Sequence, residues 1–207
     1  MKHKNIIVFA SGGGSNFKNI FEKICSQNLP MNLCLLVSNN KDCGAVQYAK
    51  KNDIDFFIYN KLYFPNDDQQ KFLYEKIKSK TPDLIVLAGY LKKISKLIVK
   101  AYNKKILNIH PSLLPKYGGK GNYGMHVHNK VYENKDNISG ATIHFVDYNY
   151  DTGPILIQKS VSLDKFDNPK RIAEKVLKIE HEIYPKAIKY FCYDQISWKK
   201  SIPKIKE

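Results

Sequence analysis

Short apolar runs rich in β-branched residues alternate along the chain with longer segments that place apolar residues every three or four positions. Runs of the first kind are typical of buried strands, and segments of the second kind are typical of amphipathic helices. The predicted strands cover residues 5–10, 33–38, 55–59, 84–89, 106–110, 141–147 and 155–162. The predicted helices cover residues 16–27, 44–52, 67–80, 95–102, 123–134 and 169–191.

Strands separated by helices predict βαβ units, and therefore an α/β fold with a mostly parallel sheet flanked by helices. The last two strands follow a polar turn at 134–137, which is compatible with antiparallel pairing. Without an internal repeat or a composition break, we expect one domain over 1–207, with a short tail from about 192. Ligands of such sheets bind beyond the carboxyl ends of the strands, so the polar loops there are the candidate sites.

Charge and composition narrow the class of protein. The 207 residues are 43% apolar, enough for a core, and carry a net charge of +15. Arg171 is the only arginine and the lysines are spread along the chain, a pattern that favours solvated faces over a nucleic-acid surface. A general positive field would still attract small anionic substrates.

Nothing in the sequence indicates a membrane protein or a secreted one. No run approaches the roughly 20 apolar residues that span a bilayer, and the first residues lead into a strand without a cleavage pattern. The cysteines form no C-x-x-C pair, so a reducing compartment is expected. The interpretation is a cytoplasmic protein.

A glycine-rich segment, SGGGSN at 11–16, lies between the first strand and the first helix. Glycines allow close approach of an anion, and a helix N-terminus offers free N–H groups. The segment lacks the Gly-Lys-Ser/Thr of a nucleotide-binding loop, and Phe17 breaks a dinucleotide fingerprint. It therefore predicts binding of a smaller phosphate ester; the alternative is a tight turn capped by Ser15 or Asn16.

The fifth predicted strand ends in Asn108, Ile109 and His110, followed by Pro111. Alternate residues of a strand share a face, so Asn108 and His110 should project together at its carboxyl end. An amide donor beside an imidazole suits acyl transfer, in which an oxyanion develops while a proton moves. Asp151 lies in the later segment DTGP, which in isolation indicates an ordinary turn. Together with Asn108 and His110 it becomes a candidate, because a carboxylate near His110 would favour and orient the imidazolium.

These motifs together resemble the folate-dependent glycinamide ribonucleotide transformylase family. The resemblance extends over nearly the whole chain, through SGGGSN, LAGYLKKIS, NIHPSLLPKYGG, SGATIHFVD, YDTGP and EHEIYP. It implies a Rossmann-like formyltransferase fold and transfer of a formyl group from 10-formyltetrahydrofolate to the amine of glycinamide ribonucleotide. It also implies that the folate is a co-substrate, with no tightly bound cofactor.

The resemblance implies a role for each matching position. Asn108, His110 and Asp151 would be catalytic. The phosphorylated substrate would be held by Gly13, Gly14, Ser15, Asn16 and Glu180. The folate would be lined by Leu91, Lys92, Lys93, Ile94, Asn108, Val146, Asp147 and Tyr150.

Some positions depart from the family pattern. Lys92 stands where relatives often carry an arginine, and 60–70 contains no arginine that could touch the folate. His126 and His128 lie in a segment at 120–128 resembling one bacterial branch, and they face apart on a helix, so no metal site is expected.

Three other functions are possible for a chain with these residues. Methionyl-tRNA formyltransferases share the catalytic constellation but carry an additional C-terminal domain, whereas this chain ends soon after Trp198. Formyltetrahydrofolate hydrolases share it as well but are longer at the N-terminus. A basic nucleic-acid-binding module would leave Asn108, His110 and Asp151 without a purpose. We therefore expect small-molecule substrates, no nucleic acid or membrane partner, and a monomer or homodimer.

Overall fold

The computed structural model describes residues 3–60 and 69–206. The strands are β1 Lys4–Phe9, β2 Met31–Ser38, β3 Phe56–Ile58, β4 Leu84–Leu87, β5 Ile106–His110, β6 Ile138–Phe145, β7 Ile155–Ser162, β8 Ile196–Lys199 and β9 Ile202–Ile205. The helices are α1 Ser15–Ser26, α2 Gly44–Lys51, α3 Gln69–Ser79, α4 Lys96–Ala101, α5 Met125–Glu133 and α6 Pro169–Cys192. The chain forms two compact units, Met1–Leu107 and Asn108–Glu207.

The first unit is built on parallel strands buried on both faces. β1 pairs in parallel with β2 on one side and with β4 on the other, and β3 extends the sheet beside β2. Ile6, Ile7, Val8 and Phe9 have no exposed surface, as expected for a parallel strand covered on both faces. The chain reverses its strand order between β1 and β4, so the loops that follow these two strands are neighbours.

The second unit combines an antiparallel pair with two helices. β6 and β7 pair from Ile138 opposite Ser162 to His144 opposite Ile155. α6 packs against both strands and against α5. Asn168 caps α6 by accepting a hydrogen bond from the Arg171 N–H at 3.0 Å. β8 and β9 form a hairpin, and the ring of Trp198 lies 4.7 Å from that of Phe145.

The strand order of the main sheet is β3-β2-β1-β4-β5-β6-β7, so the predicted α/β class with a mostly parallel sheet is confirmed. The predicted strands and helices recur with ends displaced by up to about three residues. Asp67 and Asp68, where the third helix was predicted to begin, lie outside the described residues. The expectation of a single domain stays a prediction.

The largest difference from the sequence analysis lies at the C-terminus. The stretch expected as a tail from about residue 192 contains the β8–β9 hairpin. Its strands are four residues each, too short to be distinguished by alternation alone. Among residues 3–60 and 69–206, no helix is both long and apolar enough to cross a membrane.

Candidate active site

The glycine loop between β1 and α1 belongs to the first unit. Gly14 is the N-cap of α1 with φ of 76°, and no side chain caps the helix. A Cβ at Gly14 would lie 2.7 Å from the Ala45 Cα, so glycine is required there by backbone conformation and by close packing on α2. A Cβ at Gly12 or Gly13 would meet nothing within 4 Å, so these two positions border open space.

We expected the glycines of this loop to allow close approach of an anion. At position 14 the glycine is required for a different reason, because a side chain there would strike α2. Of the positions predicted to hold a phosphate, Gly13 and Ser15 are exposed, and Asn16 is buried in the first turn of α1. The uncapped helix start remains suited to an anion because its N–H groups and dipole point into the loop.

Ser11 joins this loop to the neighbouring loop after β4. Its N–H donates to the Gly89 carbonyl at 3.1 Å, and its Oγ accepts from the Leu91 N–H at 2.9 Å. The same hydroxyl donates to Asn39 Oδ1 at 2.5 Å. The hydroxyl therefore donates one hydrogen bond and accepts one within the protein. It fixes the start of the segment that is predicted to bind folate.

That predicted folate segment runs from Leu91 to Ile94. Leu91, Lys92 and Lys93 are exposed, and Ile94 is buried. Ser95 then caps α4 by accepting the Ile98 N–H at 3.3 Å. The segment is held at both ends and presents three consecutive exposed side chains, those of Leu91, Lys92 and Lys93.

The second unit brings the three predicted catalytic residues together. Asn108 Nδ2 lies 3.4 Å from Asp151 Oδ1, and His110 Nδ1 lies 3.4 Å from Asp151 Oδ2. His110 is 3% exposed, while Asn108 and Asp151 are half-buried. The shared face of Asn108 and His110, predicted from strand alternation, is therefore confirmed by their common neighbour Asp151.

His144 is a fourth member of the cluster, and the sequence analysis assigned it no role. Its Nδ1 donates to the Phe145 carbonyl at 3.0 Å, because a carbonyl oxygen accepts. Its Nε2 lies 3.0 Å from Asn108 Nδ2 and 3.6 Å from Asp151 Oδ1. Its position near the end of β6, the strand before the Asp151 turn, is the feature of the sequence that could have indicated a role for His144.

Two backbone groups of the loop after β5 complete the cluster. His110 Nε2 donates to the Tyr117 carbonyl at 2.8 Å, and the Gly119 N–H donates to Asp151 Oδ2 at 2.9 Å. In neutral His110 the proton is therefore on Nε2, and Nδ1 carries the lone pair that faces the carboxylate. The basic nitrogen of His110 is thus Nδ1.

Asp147 organises the turn that presents Asp151. Its Oδ1 accepts from the Asn149 N–H at 2.9 Å and from Thr152 Oγ1 at 2.8 Å. Asp151 itself has φ of 56°, a left-handed conformation that an aspartate adopts at some cost. Gly153 is required next to it, because a Cβ there would collide with the Phe145 carbonyl oxygen.

The remaining predicted residues of this unit surround that turn or lie on α6. Val146 is half-buried and Tyr150 is exposed. Glu180 is 8% exposed on α6. Their assignments to folate and to the substrate amine stay predictions.

Burial and charge act against each other on the cluster. Burial lowers the pKa of His110, and the Asp151 carboxylate and the Tyr117 carbonyl offset this only in part, so the pKa remains below its ordinary value. Burial raises the pKa of Asp151, but His144, His110 and the Gly119 N–H outweigh it and lower that pKa. Asp151 is ionised and His110 neutral near pH 7: the carboxylate favours the imidazolium, as expected, but its effect on the pKa of His110 is smaller than that of burial.

His128 adds a further imidazole to this unit. It is 5% exposed on α5, and its Nδ1 has no hydrogen-bond partner among the residues that the structure describes. Burial, with a smaller effect of His110, lowers the pKa of His128 to about 4. His126 is exposed on the same helix, so the two side chains face apart, as predicted. No three His, Cys, Asp or Glu side chains within 3–60 and 69–206 are grouped to hold a metal ion.

Comparison with known proteins gives the class to which this fold and cluster belong. The family model described as formyl transferase matches residues 4–188. The chain therefore belongs to the formyl transferase family, and the Asn108, His110 and Asp151 cluster lies inside the matched region.

Within that family, the chain resembles phosphoribosylglycinamide formyltransferases. It is 42% identical over 200 residues to the chloroplastic enzyme of that name from Arabidopsis thaliana, covering 96% of this chain and 68% of the plant protein. It is 34% identical over 187 residues to the Bacillus subtilis enzyme, covering 90% and 93% of the two chains. The structure superposes on glycinamide ribonucleotide transformylase 1 from Symbiobacterium toebii with a TM-score of 0.90, 27% identity and coverage of 99% and 95%.

Replacing Asp151 with asparagine tests the electrostatic role of the cluster. The change preserves size but removes the charge that raises the pKa of His110, so that pKa falls further. We expect kcat to fall on the order of 100-fold or more and the acid limb of the pH–rate profile to move to lower pH. A profile that superimposes on wild type, with kcat preserved, would reduce Asp151 to a turn residue.

His128 makes the stability of the protein depend on pH. The pKa of His128 is about 4 in the folded protein and about 6.5 in the unfolded chain, so the unfolded chain binds a proton first as the pH falls. The folded state therefore has its full stability above pH 6.5 and loses stability as the pH falls toward 4. That loss is about 3 kcal/mol at most. We expect His128→Gln to flatten the decrease in unfolding free energy between pH 7 and 4, measured by urea denaturation. His126→Gln, on the exposed face of the same helix, should retain the wild-type slope.

Proposed function

We propose that this protein transfers the formyl group of 10-formyltetrahydrofolate to the amine of glycinamide ribonucleotide, a step of purine biosynthesis. The observation that carries the proposal is the convergence of Asn108, His110 and Asp151 on one buried cluster in a member of the formyl transferase family. The cluster contains an amide donor, a neutral imidazole and an ionised carboxylate. This is the set that formyl transfer between nitrogens requires.

The two substrates are assigned to separate groups of residues. The substrate phosphate is bound at the glycine loop by Gly13, Gly14, Ser15 and Asn16, supported by the uncapped start of α1. Glu180 contacts the glycinamide end. The folate is contacted by Leu91, Lys92, Lys93, Ile94, Asn108, Val146, Asp147 and Tyr150. The exposure of Leu91 to Lys93 and of Tyr150 supports this assignment.

The reaction exchanges one C–N bond for another. The uncharged amine attacks the formyl carbon, a new C–N bond forms, and the bond from that carbon to N10 of the folate breaks. The attacking nitrogen loses one proton and N10 gains one, so tetrahydrofolate leaves without another reactant. Between these events the formyl oxygen carries negative charge, which a positioned N–H donor stabilises.

We assign the proton to His110 and the oxyanion to Asn108, and the hydrogen bonds of the two side chains support this division. Neutral His110 accepts a proton only at Nδ1, because its Nε2 already donates to Tyr117. The resulting imidazolium is paired with Asp151 and can return the proton to N10. Asn108 Nδ2 makes a 3.0 Å contact to His144 and a longer one of 3.4 Å to Asp151. The longer contact is the one that a formyl oxygen would replace.

An assay of acceptors tests the proposal against its alternatives. The protein is incubated with radiolabelled 10-formyltetrahydrofolate and, in separate reactions, glycinamide ribonucleotide, initiator methionyl-tRNA or no acceptor. We expect label only on glycinamide ribonucleotide. Label on the tRNA would indicate the tRNA-directed activity instead, and free formate without an acceptor would indicate a hydrolase.

We also propose the cytoplasm as the compartment, supported by Cys25, Cys34 and Cys43, which form no disulfide, and of which Cys25 is exposed. Monomer or homodimer remains the expectation for the oligomeric state.

Single substitutions of the two strand residues test their catalytic roles. We expect Asn108→Ala and His110→Ala each to lower kcat on the order of 100-fold or more while the unfolding midpoint changes little. Circular dichroism and a thermal melt check that each variant is folded. Near-normal kcat in either variant would remove that residue from the mechanism.

A further inference from the structure

Asp136, in the turn between α5 and β6, holds the loop that follows β5. Its carboxylate accepts a hydrogen bond from the Tyr117 hydroxyl at 2.8 Å and from Lys116 Nζ at 2.7 and 2.8 Å. Asn134 Nδ2 donates to the same Tyr117 oxygen at 2.9 Å. The Asp136 side chain is 15% exposed, so its hydrogen bond from Tyr117 is partly shielded, whereas the Lys116 side chain is 59% exposed and its ion pair contributes little.

The anchored loop delivers two backbone groups to the catalytic cluster. The Tyr117 carbonyl accepts the His110 Nε2 proton, and the Gly119 N–H, two residues later, donates to Asp151. Tyr117 has φ of 58°, a left-handed conformation that is unfavourable for a bulky residue and must be held by its surroundings. The hydrogen bonds at its hydroxyl, to Asp136 and from Asn134, supply that restraint.

We propose that Asp136 is a positioning residue for the transfer reaction, which acts through Tyr117 to keep the carbonyl that orients His110 in place. The proposal rests on the proposed function, because it takes His110 as the group that moves the proton. The Tyr117 hydroxyl bonds to Asp136 and the Tyr117 carbonyl bonds to His110, so one residue connects the two.

The orientation matters because it decides which nitrogen of His110 is basic. With the carbonyl in place, the lone pair is on Nδ1, beside Asp151. If Tyr117 moves away, the proton can shift to Nδ1 and the lone pair to Nε2, outside the reach of the carboxylate. The charged and titratable groups that act on His110 are Asp151 and His144, with His128 on α5. The Tyr117 carbonyl favours the protonated ring, so its loss lowers the pKa of His110.

Two variants and a matched control test this role. Asp136→Asn keeps the size but removes the negative charge and one of the two acceptor oxygens, so the hydrogen bonds from Tyr117 and Lys116 lose their charge assistance. Tyr117→Phe keeps the ring and the backbone carbonyl but removes the anchored hydroxyl. Asp55→Asn breaks another aspartate–lysine pair, of 2.7 Å to Lys80, in the other unit, and serves as control.

We expect Asp136→Asn and Tyr117→Phe each to lower kcat about tenfold, with KM for both substrates nearly unchanged. The acid limb of their pH–rate profiles should move to lower pH, and the double variant should lose little more than either single variant. Titration of His110 by NMR with labelled histidine should show the same direction of change without any turnover. Asp55→Asn should match wild type in each measurement.

A merely structural role for Asp136 predicts a lower melting temperature with the pH profile and the His110 titration unchanged, and that outcome would overturn the proposal. Additive effects of the two substitutions would also overturn it, because the path through Tyr117 would then be absent. The NMR titration separates this failure from that of the proposed function. It reports on His110 whether or not glycinamide ribonucleotide is the acceptor.

Discussion

The arrangement of the second unit depends on one buried carboxylate, that of Asp151. Taking an ionised carboxylate out of water is costly unless hydrogen bonds and opposite charge replace the lost solvent. Here the Gly119 N–H and the Asn108 amide donate to it, and ring nitrogens of His110 and His144 lie 3.4 and 3.6 Å from it. These groups come from three places in the sequence: β5, the loop that follows it, and β6. Satisfying the carboxylate therefore fixes the end of β5, the following loop and the end of β6 together.

The same burial sets the chemistry of His110. In water an imidazole beside a carboxylate would be more readily protonated, but here desolvation is the larger effect and the pKa falls. A neutral ring can accept a proton from an attacking amine, which a standing imidazolium cannot do. Asp151 then stabilises the charge only after it has formed. The cluster thus keeps His110 neutral before the reaction and contributes its electrostatic stabilisation during it.

The first unit holds two exposed loops at the end of a buried parallel sheet. The strand order reverses between β1 and β4, so the glycine loop and the Leu91 segment begin side by side. Ser11 links them through the Leu91 N–H and the Gly89 carbonyl. Gly14 seats the start of α1 against α2, where no side chain fits. The two loops are therefore exposed, but the strands before them and the hydrogen bonds of Ser11 hold them together.

The sequence by itself determined the periodic elements, the α/β class and the shared face of Asn108 and His110, because these follow from local alternation and strand geometry. It also indicated Asp151, although only its association with the other motifs raised that aspartate above an ordinary turn residue. Tertiary structure alone decided the partners of that carboxylate, the inclusion of His144, the role of Gly14 and the neutral state of His110. Burial and contacts between residues about thirty to forty positions apart set these properties, and no local pattern records them.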